Sequence, residues 1–361
     1  MPSSLMRAWV EVDLGALRRN AAAVARHSGV PLIPMVKADG YGLGAVRVAR
    51  TLDEMREVWG FGVATVREGQ ELRTAGIRRP IIVFTPLLAR ELDAAERLDL
   101  TPALGDAGAI RRWGTTGRPW HLAIDTGMSR AGVPWCEVGT LDALLRAAPP
   151  AGAYTHFHSS ELDDGSMEVQ EGRFERALAA LPARPPFLHA DNSAAAARRS
   201  PSRWSAVRPG VFLYGVGSGA GAGIAPEPVA SVRGRIVELR GLSDAETVSY
   251  DATWRARGRR RIATVPVGYA DGYRRALSNR GEALLRGRRV PVAGLVTMDM
   301  TMWDVTDVAC ELGDVVTLVG RDGELTLDIE TVAARGELSP YELLTGLAQR
   351  LPRRYRDEAA A

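Results

Sequence analysis

Lysine is almost missing from this chain. Its 361 residues include 46 Lys plus Arg, and Lys37 is the only lysine among them. At a solvated surface either cation serves, so the scarcity excludes little there. It leaves a single side-chain primary amine, and an amine can do what a guanidinium cannot: lose its proton near neutral pH and attack a carbonyl carbon. Drift toward arginine accounts for the missing lysines but not for the place of the remaining one. Lys37 ends the apolar run Val30-Pro31-Leu32-Ile33-Pro34-Met35-Val36, and Ala38-Asp39-Gly40-Tyr41-Gly42-Leu43-Gly44 then turns the chain.

Other absences narrow the field. Two cysteines, Cys136 and Cys310, exclude a disulfide scaffold and a four-thiolate zinc site. No apolar stretch reaches membrane-spanning length, and Met1-Pro2-Ser3-Ser4 opens no secretory signal, so a cytoplasmic protein without a membrane partner is expected. Net charge is only +3 and the densest basic cluster is Arg257-Gly258-Arg259-Arg260-Arg261, which argues against a nucleic-acid partner. What remains is ordinary soluble material, 46% hydrophobic and 25% charged, with ample apolar residues for a large core.

Short apolar runs recur along the first two-thirds: Leu32–Val36, Phe61–Ala64, Ile81–Phe84, Leu100–Ala103, His121–Ile124, Ala153–Phe157, Phe187–Ala190 and Ala206–Val207. Stretches of helical length separate most of them. Thr65 and Glu68 have capping-box spacing, and Glu137–Ala148 and Ser166–Leu181 read as further helices. Eight strands alternating with helices predict a (β/α)8 TIM-like barrel over residues 10–228. A doubly wound sheet is the rival, but no Gly-x-Gly-x-x-Gly follows a first strand. From residue 229 to 361 the texture changes to Val229–Leu239, Arg261–Val267, Glu282–Leu285, Val290–Val296 and Val315–Val319, a mostly-β domain closed by a helix over Pro340–Gln349. Trp9–Val12 reads as a strand, the segment near 5–12 packing with that second domain, and Asp13 as the cap of a helix over Leu14–Arg26.

Chemistry in such barrels gathers in the loops after the strands. Lys37 and Tyr41 follow the first strand, and Asp125-Thr126-Gly127-Met128-Ser129-Arg130 the fifth. His156-Phe157-His158 ends the sixth, His189-Ala190-Asp191-Asn192-Ser193 the seventh and Arg208-Pro209-Gly210 the eighth. Loops after strands seven and eight are this fold's usual phosphate place, with Ser193 at a helix start and Gly210 admitting close backbone. A lysine able to form an imine beside a phosphate cradle points to pyridoxal 5′-phosphate. The histidines at 156, 158 and 189 with Asp191 offer a metal-hydrolase alternative, but Lys37, Arg130 and Arg208 would crowd a cation, so no metal is expected.

These residues resemble fold-type III alanine racemases. The resemblance runs from about Trp9 to Tyr355 and rests on Val36-Lys37-Ala38-Asp39-Gly40-Tyr41-Gly42, Asp125–Arg130, Val207-Arg208-Pro209-Gly210, Pro266-Val267-Gly268-Tyr269-Ala270-Asp271-Gly272-Tyr273, Met298-Asp299 and Ser339-Pro340-Tyr341-Glu342. It implies L- to D-alanine racemisation by two bases in a homodimer with shared sites. Lys37 would carry pyridoxal phosphate and act as one base; Tyr269 of the partner subunit would be the other. Arg208 would face the cofactor ring nitrogen, and His156 would join Arg208 in a polar chain to Tyr269. Arg130 would hold the cofactor's phenolic oxygen and the substrate carboxylate, which the backbone of Met298 would also bind. Tyr41, Asn192, Ser193, Gly210, Val211 and Tyr341 would complete the cofactor site, mostly at its phosphate.

The chain also departs from the pattern. Ala123 stands where many relatives carry a carbamylated lysine, Thr297 where cysteine is common, and Leu295 where an arginine often lines the substrate path. Phe157-His158-Ser159-Ser160-Glu161 is bulkier than usual. These changes keep serine or another small amino acid in play as the substrate. A non-catalytic pyridoxal-phosphate carrier is a further alternative, although such carriers need neither the second domain nor Tyr269. A decarboxylase on this fold would carry a glycine-rich phosphate loop that is not found here.

Overall fold

The computed structural model describes residues 6–219 and 221–356. Residue 5 of the expected first strand and residues 357–361 of the expected second domain lie outside the described residues.

Six regular parallel strands build most of the barrel: Phe61–Val63, Ile81–Val83, Thr101–Leu104, His121–Asp125, Gly152–Tyr154 and Phe187–His189. Strand periodicity sorts their side chains. Ile33, Ile82, Ala103, Ala123, Tyr154 and Ala206 form a compact interior cluster. Their neighbours Leu32, Ile81, Val83, Leu122, Ile124 and Ala153 join the larger core under the helices. Many inward residues are alanine, so Tyr154, Phe84, His121 and His189 fill the centre, Tyr154 stacking on His189 at 5.2 Å.

The expected first and eighth strands, Leu32–Val36 and Ala206–Val207, are not regular strands. Pro31, Pro34 and Pro209 have no amide hydrogen to give a ladder, so pairing there is reduced to isolated bridges. Leu32 bridges both Val58 and Val207, and Met35 bridges Gly62. Ile33 N donates to Val207 O at 2.8 Å and Met35 N to Pro209 O at 2.9 Å, while Ser205 N donates to Leu188 O at 2.8 Å. The ring therefore closes through isolated bridges and short backbone bonds at the position that carries Lys37.

Local signals set the helices. Asp13 accepts Ala16 N at 2.8 Å and caps Leu14–Ser28. Thr65 and Glu68 form the reciprocal capping box of Val66–Thr74. The helix expected over 137–148 is a 3₁₀ turn, Val138–Leu141, followed by Asp142–Ala147.

Among the described residues the second domain holds two main sheets and a two-stranded ribbon, Thr247–Val248 with Trp254–Arg255. The larger runs in the order Arg288–Pro291, Glu282–Leu285, Val315–Asp322, Ala230–Arg235, Ala8–Asp13 and Arg353–Arg356. Ala8–Asp13 thus pairs with second-domain strands on both sides, antiparallel to one and parallel to the other. The smaller sheet is Glu238–Leu242, Arg260–Val265 and Thr301–Asp304. The run expected over 229–239 splits between the two, and the one expected over 290–296 leaves its ladder at Pro291. The last helix spans Pro340–Thr345. It packs onto the Lys37 turn so closely that a Cβ on Gly42 would lie 2.6 Å from Leu344 O. Among the described residues no helix is long and apolar enough to cross a membrane.

Candidate active site

Lys37 opens a left-handed turn. Ala38, Asp39, Gly40 and Tyr41 all have φ between 52° and 61°, a conformation that disfavours L-residues by roughly 1–2 kcal/mol each. Backbone bonds hold it: Gly40 N to Val36 O at 2.9 Å, Gly42 N to Ala38 O at 2.8 Å and Gly44 N to Asp39 O at 2.7 Å. Asp39 Oδ1 also accepts Ala45 N at 2.9 Å. The turn throws Tyr41 back over the barrel mouth, where its ring stacks on Tyr214 at 4.6 Å.

A cavity of about 420 Å³ lies at this mouth. Lys37, Tyr41, Arg130, His156 and Asn192 line it. So do Ser193, Arg208, Gly210, Val211 and Tyr341, which brings together ten of the residues singled out from the sequence. A smaller chamber of about 240 Å³ shares Lys37, Phe84, Arg130, Tyr154 and His156, with Ala123 in its wall.

One end of the main cavity is rich in hydroxyls. Ser193 Oγ accepts Gly210 N at 2.8 Å and Phe212 N at 3.4 Å, which leaves its proton free to donate. Gly210 admits no side chain, since a Cβ there would sit 2.4 Å from the Tyr41 hydroxyl. Burial pushes the Tyr41 and Tyr341 phenols up, so both remain donors. Asn192 Oδ1 caps the Ser193–Arg198 helix at Ala195 N and accepts Ser160 Oγ at 2.7 Å.

Opposite this end the groups are cationic or imidazole. Burial, then the charge of Arg130, pulls the Lys37 amine below its usual value, with Glu68 opposing. Arg208 is 3% exposed. Its NH1 donates to His189 Nδ1 at 2.8 Å, and its NH2 donates to Thr155 O at 2.7 Å and Ala190 O at 2.9 Å. His156 Nδ1 stands 3.5 Å from the same NH2, at the outer limit of a hydrogen bond. Burial and the neighbouring cations of Arg208, Arg130 and Lys37 push His156 down to about 3, so it is neutral. Arg130 makes no hydrogen bond or ion pair among the described residues. Its loop is set instead by Asp125 Oδ1, which accepts Gly127 N and Ser129 N.

Tyr269 and Met298 lie elsewhere. They sit side by side on the second domain, 39% and 52% exposed, and neither lines the cavity. Tyr269 N donates to Thr297 O at 2.9 Å and Ala270 N to Met298 O at 3.0 Å.

Two features escape sequence reasoning. His121, read from the sequence only as the start of an apolar run, meets His189 inside the barrel, Nδ1 to Nε2 at 2.8 Å. Since Arg208 donates to His189 Nδ1, His189 Nε2 carries the hydrogen and His121 accepts it. His189 therefore faces the core, and His158 pairs with Ser159 at the surface. Among the described residues no three His, Cys, Asp or Glu side chains gather as a metal site. Gln170, 1% exposed, gives Nε2 to Thr126 Oγ1 and His156 O and accepts His158 N, tying the Arg130 loop to the His156 loop. Only the alternation of His121 and His189 with apolar neighbours signalled the first; nothing signalled the second.

Comparison with known proteins gives a consistent answer. Residues 12–218 match the family model "Alanine racemase, N-terminal domain" and residues 229–355 match "Alanine racemase, C-terminal domain". The chain is 39% identical to an alanine racemase of Sorangium cellulosum, over 96% of this chain and 98% of that one. It superposes with a TM-score of 0.90 on the crystal structure of alanine racemase from Bacillus anthracis with bound L-Ala-P, at 30% identity, covering 98% of this chain and 96% of the other. With the Bartonella henselae alanine racemase, solved with covalently bound pyridoxal phosphate, the TM-score is 0.88 at 27% identity, over 97% and 99% of the two chains. The barrel, the second domain and the order of their motifs thus place this chain in the alanine racemase family.

Proposed function

We propose that the chain interconverts L- and D-alanine with pyridoxal 5′-phosphate held at the barrel mouth, as a homodimer whose sites are completed by Tyr269 and Met298 of the partner subunit. The observation that supports this reading most is the meeting of the lone lysine with nine other expected residues around one cavity. The donor set fits the cofactor. Hydroxyls of Tyr41, Ser193 and Tyr341 suit a phosphate drawn close to the Gly210–Val211 backbone, the Lys37 amine suits an aldehyde, and Arg208 suits a ring nitrogen.

When bound, the cofactor supplies an electron-withdrawing system that acidifies the substrate Cα–H. The residues of the chain do the rest. The depressed Lys37 amine can hold or release a proton near neutral pH. Arg208 only donates, so a ring nitrogen against it stays unprotonated, which weakens electron withdrawal and disfavours side reactions such as transamination. Arg130 is suited to a carboxylate or phenolate oxygen. Tyr269 and Met298 are exposed on a rigid turn, as groups presented to another chain must be. A phenol on the face opposite Lys37 returns the proton with less motion than one base would need. Neutral His156 beside Arg208 offers that phenol an acceptor.

Borohydride treatment of active protein followed by peptide mass spectrometry should find the cofactor adduct on Lys37. An unmodified Lys37 peptide in fully active material would refute the proposal. A panel of L-amino acids with D-specific detection should rank alanine first. The chamber beside Ala123 and the apolar Leu295 favour serine or another small amino acid as the second reading, and a higher rate on one of these would decide for it.

A further inference from the structure

The capping box at Thr65 and Glu68 does more than start a helix. Thr65 Oγ1 accepts Glu68 N at 3.2 Å, and Glu68 Oε2 returns to Thr65 N at 3.0 Å and Ala64 N at 2.7 Å. This is the usual reciprocal arrangement, and it occupies one carboxylate oxygen. The other oxygen, Oε1, leaves the helix altogether and accepts Ala38 N at 2.8 Å. Ala38 follows Lys37 directly and is the first residue of the left-handed turn.

We propose that Glu68 is a positioning residue for Lys37, one carboxylate clamping the strained turn beside the amine to the end of the strand Phe61–Val63. The turn needs such a clamp. Three of its four left-handed residues carry a Cβ. The segment before it is not a regular strand, since Pro31 and Pro34 lack amide hydrogens, and it pairs through isolated bridges at Leu32 and Met35. Backbone bonds fix the turn from within, and Asp39 ties it forward to Ala45. Glu68 ties the amide next to Lys37 to the neighbouring strand. Its charge also acts on the amine, favouring the protonated form against burial and Arg130. Geometry and charge thus give two separable effects.

This inference rests on Lys37 being the cofactor-bearing amine, and the test keeps the two apart. Apoprotein is mixed with pyridoxal phosphate at a series of pH values, the visible absorbance of the captured cofactor is followed, and steady-state kinetics are taken on the reloaded protein. Glu68→Gln removes the charge, and its amide cannot accept at both oxygen positions. Its pH midpoint for capture should move lower, and kcat should fall roughly tenfold with KM changed less. Thr65→Ala removes the other half of the box while leaving the three bonds to Glu68. It should lower the denaturant midpoint for unfolding yet keep the wild-type pH midpoint for capture and kcat. Glu68→Gln with an unchanged midpoint and kcat would overturn the inference, as would a Thr65→Ala variant that reproduces both shifts. Wild-type protein that captures no cofactor at Lys37 would instead overturn the proposed function.

Discussion

Two turns carry the groups proposed for proton transfer, and they are built alike but finished differently. Each is tight, glycine-bounded and braced by a carboxylate. Asp39 and Glu68 hold the Lys37 turn. Asp271, 2% exposed, holds the Tyr269 turn by accepting Gly268 N at 2.9 Å while paired with Arg350 at 2.8 Å. Gly268 is required, because a Cβ there would lie 2.3 Å from Thr297 O. The difference lies beyond the backbone. The Lys37 side chain enters a cavity lined by its own chain. The Tyr269 ring is 39% exposed, and its hydroxyl has no hydrogen bond among the described residues. One turn faces a cavity of its own chain, and the other leaves its phenol exposed, as the proposed shared site requires.

The comparison can be broken most strongly at the lysine. Lys37→Ala should lower racemisation by roughly four orders of magnitude and abolish the visible band of bound cofactor, read by D-alanine formation and absorbance. Tyr269→Phe should lower turnover by roughly 10²–10⁴ while cofactor capture stays at the wild-type level, because the barrel side is intact. Loss of capture in that variant would mean that the two turns are not separable. Asp271→Asn should act more mildly, weakening the Gly268 and Arg350 contacts. Turnover should fall roughly tenfold, and stability by about 1–2 kcal/mol in denaturant titration, with capture again unchanged.

The smallest effect on turnover is expected from His121, which lies inside the barrel away from the cavity and acts on stability. Burial first, then Arg208, pushes His121 down to about 4, and His156 lies at about 3. An unfolded chain binds protons at both below pH about 6.5. The folded chain does not until far lower. This stabilisation is therefore complete above pH 6.5 and is lost as pH falls toward 4. The unfolding free energy of the apoprotein, from denaturant titration, should drop across that window by an amount on the order of a few kcal/mol, and His121→Asn should flatten part of the slope. A flat profile in the wild type would contradict the buried neutral pair.

Much of this was legible in the sequence because the signals are local. Alternating apolar runs gave the barrel, the Asp13 and Thr65 caps gave helix starts, and a lone lysine ahead of a glycine-rich turn marked the site. What was not legible depends on distance in the chain. His121, His189 and Arg208 are joined across the barrel interior by 68 and 19 residues of separation. Glu68 reads as a cap because Thr65 is three residues away; the bond to its other oxygen reaches back 30 residues to Ala38. Pro31 and Pro34 were plain in the sequence, but their apolar neighbours made the segment read as a regular strand, and the missing amide hydrogens decided otherwise.

The claim that each site is shared between two chains is tested most directly by a hybrid. Lys37→Ala and Tyr269→Phe chains, carrying different tags, are co-expressed and the mixed dimer is isolated by both tags. Its two sites comprise one with both defects and one with neither, so about half the wild-type turnover per dimer is expected. Turnover no higher than that of either variant alone, or failure of the two chains to purify together, would contradict the shared site.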